Sequence, residues 1–186
     1  MRPIGLGVTE SRTRCAVVLA ILVLVSGGIA SKTLAFNEPE GFRGVPWGTT
    51  EEELLARLRI DGAQISCGDY PPDGHWIAER ACNGAFLLDN IRLKATYGFR
   101  AGKFTRVFLQ FPSNDFNRIA AIFVERYGAS TRDTANAKTW VGPAAIITMT
   151  RHSSAMEGNA LITTRADWEE SARLRKEKTK GAAKDL

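Results

Sequence analysis

Apolar and polar residues alternate without a break from Ile91 to Phe99. Ile91, Leu93, Ala95, Tyr97 and Phe99 fall on one side, Arg92, Lys94 and Thr96 on the other. A period of two sustained over this length predicts a half-buried strand. Arg100-Ala101-Gly102-Lys103 reads as a hairpin turn in which Gly102 can take positive φ. The chain then returns over Phe104–Phe111 with Val107, Leu109 and Phe111 on one side. An antiparallel pair of this kind sits with one side on a core and the other toward water.

The period lengthens from Asn114 to Tyr127. Phe116, Ile119, Ala120, Phe123 and Tyr127 recur at spacings of three and four, which predicts an amphipathic helix. Ser113 or Asn114 can cap its start and Gly128 can stop it. Earlier, Thr49-Thr50-Glu51-Glu52-Glu53 combines a Thr cap, a Glu three residues on and acids near the positive end of the helix dipole. That short helix should bury Leu54, Leu55 and Leu58 and turn Arg57 away. Residues 60–84 are dense in turn formers and predict an irregular stretch, with Gly84 as its last residue, Ala85–Leu88 as a short strand and Asp89-Asn90 as a turn. Three more strands are predicted at Lys138–Val141, Ala144–Arg151 and Gly158–Thr164, with a helix from Ala166 that frays into a Lys-rich end. Strands outnumber helices and are joined by short turns. The expected class is therefore α+β: an antiparallel sheet of about five to six strands with two to three helices packed on one face. Helix followed by strands occurs twice, which suggests a helix-plus-strands duplication, although no residue-level repeat accompanies it.

One apolar segment stands outside this pattern. Cys15–Ala30 follows Arg2, Arg12 and Arg14 and leads into two small-residue sites, Gly28-Ile29-Ala30 and Thr33-Leu34-Ala35. Positive, then apolar, then small is the layout of an export signal. Its unbroken apolar run, Ala16 to Val25, is ten residues, whereas a membrane span needs about 20. Cleavage is expected after Ala30 or Ala35, with Ala35 favoured; the alternative is an uncleaved inner-membrane anchor. Cys15 precedes the apolar run, so it does not serve as a lipid-attachment site, and no Arg-Arg pair supports the twin-arginine route. The expected organisation is a signal peptide at 1–35, one domain at 36–170 and a basic, flexible tail at 171–186, located in the periplasm or secreted.

Charge follows the same division. The whole chain carries 25 basic and 20 acidic residues, a formal charge of +5; without residues 1–35 it loses four basic and one acidic residue and stands at +2. Six of the remaining basic residues lie between Ser171 and Lys184 beside one acid, Glu177. The body at 36–170 is thus close to neutral, which argues against nucleic acid as a partner. The basic end could touch anionic lipid weakly, but a solvated face is the simpler reading.

Cys67 and Cys82 remain after export, an even pair in an oxidising compartment, and predict a structural disulfide. Asp69, Asp73, His75 and Glu79 lie between them. Zinc would want more Cys and His at tighter spacings, so no metal site is expected. No G-x-S-x-G, phosphate-binding or dinucleotide-binding motif occurs, and neither a cofactor nor a catalytic residue is assigned. His152 beside Ser153 and Ser154 reads as a solvated turn. Trp47 should plug the first helix against the sheet, and Trp140 should pack in or beside the core. Trp76, with Tyr70 and His75, lies in the bridged loop and is the candidate contact surface, since aromatic side chains dominate binding hot spots.

Phe42-Arg43-Gly44-Val45-Pro46-Trp47-Gly48-Thr49, followed by the acidic helix start, resembles the opening of small exported bacterial proteins of uncharacterised function. Tyr97-Gly98-Phe99, the helix ending in Tyr127-Gly128 and Thr139-Trp140-Val141-Gly142 also fit that pattern. The resemblance implies a periplasmic α+β domain and no activity. A fainter likeness is to outer-membrane assembly lipoproteins, which open with a similar turn and helix but carry a lipid-attachment Cys. The expected role is a non-enzymatic binding or interaction module; the sequence does not name its partner, and another envelope protein is one candidate. The alternatives are a membrane-anchored protein with a periplasmic domain, or a hydrolase using Asp69, Asp73 and His75.

Overall fold

The computed structural model describes residues 36–60, 64–69, 78–152 and 156–182. The chain opens with a tight ladder of β1 (Gly41–Phe42) against β2 (Val45–Pro46), turned by Arg43 and Gly44 at φ +50° and +76°. Helix α1 (Glu51–Ile60) follows. Its cap is reciprocal as predicted: the Thr50 N–H donates to Glu53 Oε2 at 3.0 Å, and the Glu53 N–H donates to Thr50 Oγ1 at 3.4 Å. Leu54 and Leu58 are buried, Leu55 packs against the same core, and Arg57 donates to the Gly44 carbonyl.

The next four strands form a meander: β3 (Ser66–Asp69), β4 (Arg80–Leu88), β5 (Ile91–Arg100) and β6 (Lys103–Pro112). A 3₁₀ turn at Ser113–Asp115 leads into α2 (Phe116–Tyr127). A second four-strand meander comprises β7 (Arg132–Thr134), β8 (Ala137–Val141), β9 (Ala145–Arg151) and β10 (Glu157–Thr164). The two meanders join through their last strands, giving one antiparallel sheet of eight strands ordered β3-β4-β5-β6-β10-β9-β8-β7. Helix followed by four strands therefore occurs twice. The closing helix is α3 (Arg165–Ala182). Among the described residues, no helix is long and apolar enough to cross a membrane.

The β5–β6 hairpin follows the predicted pattern. Ile91, Leu93, Ala95, Tyr97 and Phe99 are all buried, as are Val107, Leu109 and Phe111 opposite them. Ala101 and Gly102 turn the chain at φ +48° and +70°, and Asp89 and Asn90 turn β4 into β5 in the same left-handed region. The five predicted residues of α2 are buried and Gly128 ends the helix at φ +84°. Trp140 is fully buried and donates to the Gly128 carbonyl at 2.8 Å. Trp47 lies on Phe104, with ring centroids 4.9 Å apart.

Three expectations need correction. The sheet has eight strands rather than five to six, because β3 and β7 were unforeseen. Ser66–Asp69 and Arg132–Thr134 are short, polar and mostly exposed, so no alternation marks them. β4 also starts at Arg80, so residues 80–84 belong to a strand and not to an irregular loop. Finally, the helices do not share one face. The hydrophobic core gathers Leu54 and Leu58 of α1 and the buried side of α2 against one side of the sheet. α3 instead lies on the opposite side, reaching Arg106 and Thr163, whose strand neighbours Val107 and Ile162 point into the core.

Candidate functional site

α3 meets the sheet through a polar stripe. Asp167, Ser171 and Arg175 recur every four residues and, with Trp168, face the strands. Helices normally bury apolar residues there. The strands answer in kind. Arg106 on β6 stands directly opposite Thr163 on β10, and both are buried. Gly98 on β5, across from Arg106 on its other side, leaves room for that long side chain: a Cβ there would fall 2.6 Å from Arg106 Cγ.

These groups form a closed network around one carboxylate. Arg106 binds Asp167 Oδ2 through its guanidinium. Arg100 Nε donates to Asp167 Oδ1 at 2.5 Å, and the Thr163 hydroxyl donates to Oδ2 at 3.1 Å. Ser171 Oγ accepts from Arg106 Nη2 at 2.6 Å and from Arg100 Nη2 at 3.0 Å. The Asp167 side chain is 1% exposed and that of Arg106 5%. Burial pushes the Arg106 guanidinium below its usual range; Asp167 opposes that shift, while the like charges of Arg100 and Arg175 add to it. Two guanidiniums thus share one buried carboxylate, with a third close by.

Beyond this network, α3 and the sheet leave a cleft of about 380 Å³. Its floor is a row that runs across three strands in register, Phe108 on β6, Leu161 on β10 and Thr148 on β9. Trp168 and Arg175 of α3 form the facing wall, and Asn159 borders the cleft, its amide 2.7 Å from His152 Nε2. A larger, shallower depression of about 590 Å³ lies between the chain's opening segment and α2; Glu38, Glu40, Arg43 and Arg126 give it mixed charge.

Of the residues singled out from the sequence, Cys67 and Cys82 are bonded to each other, directly opposed on β3 and β4 with Cα atoms 4.0 Å apart. Tyr70, His75, Trp76 and Asp73 lie outside the described residues, as do Ser153, Ser154 and the segment 1–35. Asp69 accepts from Arg80 Nη1 at 3.0 Å, and Arg80 also holds Glu51 of α1. Glu51 and the two sulfurs fall within 4.8 Å of one another, but both sulfurs are spent in the bridge and the carboxylate receives Arg80. Helix α3 runs across positions 170 and 171: Ser171 is buried in the network, and the helix continues to Ala182.

The network residues were not recognised from sequence. The available signal was local: Arg106 and Phe108 occupy the outward positions of β6, and a helix begins soon after β10 with Asp167, Ser171 and Arg175 at helical spacing. No protein-family model, curated protein or solved structure matches the chain.

Proposed function

We propose that this chain is an exported bacterial domain that binds a ligand without transforming it, and that the cleft beside α3 is its binding site. The carrying observation is the make-up of that cleft. Aromatic and aliphatic walls meet a few convergent polar groups, the usual composition of a small-molecule site. Its buried serine does not stand as a nucleophile, because Ser171 Oγ already accepts from two guanidiniums. Export is supported by the positive-apolar-small start of the chain and by the Cys67–Cys82 bridge, which belongs to oxidising compartments.

Location is tested by recovering the protein from the bacterial cell. A periplasmic product that begins at residue 31 or 36 and exposes thiols only after reduction is expected. Full-length protein with free thiols in the cytosol would overturn export. Binding is tested on the exported form by thermal unfolding against fractionated small molecules of the cell envelope. A ligand that binds only the native state raises Tm. The expected result is a fraction that raises Tm for the wild type but not for Thr148→Phe, which fills the cleft floor. A shift that survives Thr148→Phe, or conversion of the active compound by the protein, defeats this assignment.

A further inference from the structure

We infer that the cleft beside α3 selects a small, flat organic acid, its apolar body on Phe108 and Leu161 and its anionic group at Arg175. This rests on the reading of the cleft as a binding site and adds the class of ligand.

Charge decides it first. Among the described residues, the cleft is lined by Arg106 and Arg175 and by no acidic side chain. Asp167 is shared between Arg106 and Arg100, and among the described residues no contact joins it to Arg175. The nearest acids of its own helix, Glu170 and Glu177, stand five and two residues away and off the side that Arg175 occupies. Both are held by Arg173: Glu170 through paired contacts of 2.6 and 2.8 Å, Glu177 at 2.6 Å. Among the described residues, no carboxylate pairs with Arg175. A guanidinium that is partly buried, beside a second one and without an anion, is completed by an anionic ligand, and its planar fork matches a carboxylate.

Shape decides the rest. Phe108 and Leu161 are half-buried side by side on a sheet face whose neighbouring positions are Arg92, Lys94, Thr96, Gln110, Thr148 and Thr150. Apolar side chains on the polar side of a sheet, faced by Trp168 across a gap, suit a ring or other flat body inserted between them. A volume of about 380 Å³ admits one small molecule and excludes a folded segment.

The test uses three probes with one ring system and different heads: 2-naphthoate, 2-naphthamide and 2-naphthylmethylammonium. Each is titrated into the exported protein and followed by calorimetry and by Trp fluorescence. The anion should bind about tenfold more tightly than the amide, the lower end of what a hydrogen bond to a charged group contributes, and the cation should bind least. Arg175→Met keeps the stem but removes the charge, and should abolish the preference while leaving Tm unchanged; Arg175→Lys should retain part of it. Equal binding of all three probes, lost in Thr148→Phe, overturns selection of an acid but leaves the cleft as a binding site. Binding of none of them, or a preference that survives Arg175→Met, overturns the proposal.

Discussion

The two faces of this sheet are built on opposite principles. On one, Leu93, Tyr97, Phe104, Leu109, Ile147 and Trp140 close against α1 and α2 with almost no exposed surface. On the other, α3 docks through Asp167 and Ser171 onto Arg106 and Thr163, and beside this the described residues leave a cleft. The first face is held by non-directional burial, which tolerates any apolar side chain of the right volume. The second is held by directed hydrogen bonds around one carboxylate, where each partner has a fixed place and a missing one leaves a charge stranded. A sheet with two such faces can keep its fold on one side and leave the other free for recognition.

The largest effects should come from removing the anchor of each face. Trp140→Ala leaves a cavity in the dry face and should cost about 3–5 kcal/mol, read by urea denaturation. Asp167→Ala leaves Arg106 buried without its carboxylate and should cost a similar amount, about 3–5 kcal/mol. The contrast sharpens in a second variant. Replacing Arg106 by Met and Asp167 by Leu together should recover part of that loss, because the apolar pair removes the deeply buried Arg106 charge while Arg100 still loses its Asp167 contact. No recovery would mean that α3 docks by some means other than the Asp167 network. An Asp167→Ala loss within the range of ordinary surface substitutions, about 0.5 kcal/mol, would show that the second face is mere surface.

The same contrast explains what the sequence discloses. Periodicity reports burial of apolar side chains, so the dry face was legible: Ile91 to Phe99, Val107 to Phe111 and the stripe of α2 all fell where alternation or helical spacing put them. The second face is assembled from polar residues, and polar residues at outward positions look like solvated ones. Nothing local distinguishes Arg106, whose guanidinium is buried, from Arg92, which is exposed. Asp167 reads as an ordinary acid in a first helical turn. The edge strands β3 and β7 were hidden for a related reason, since their pairing is set by the Cys67–Cys82 bridge in one case and by a short polar hairpin in the other. The bridge itself was legible because its chemistry depends on compartment and count and needs no periodicity.

That bridge belongs to the dry face and extends the comparison to its margin. Cys82 is fully buried beside Tyr97 on β5, and Cys67 ties the edge strand β3 to it. Closing a loop with a separation of 15 residues restricts the unfolded chain by about 3 kcal/mol on loop-closure entropy. Cys67→Ala with Cys82→Ala should lose about that much and should raise hydrogen exchange in β3 more than in β6, at the sheet's centre. The cleft beside α3 should keep its ligand affinity. If affinity fell with the bridge, the two faces would not be independent.

The smallest effect tests whether legibility and energy go together. The cap of α1 was the most plainly written local feature, yet it stands in water at the rim of the dry face. Thr50→Ala should cost about 1 kcal/mol. Hydrogen bonds accepted from the Thr50 backbone N–H, and then from its hydroxyl, hold the Glu53 carboxyl below the usual carboxylate range. A carboxyl lowered in the folded state stabilises fully above its unfolded value of about 4.3 and loses that contribution as pH falls through the folded value. The gap in Tm between wild type and Glu53→Gln should therefore be constant near neutrality and close as pH drops below about 4.3. A gap that widened on acidification would reverse the sign of the shift and place Glu53 outside the cap. Neither variant should change binding in the cleft, because the cap and the α3 network lie on opposite sides of the sheet and share no side chain.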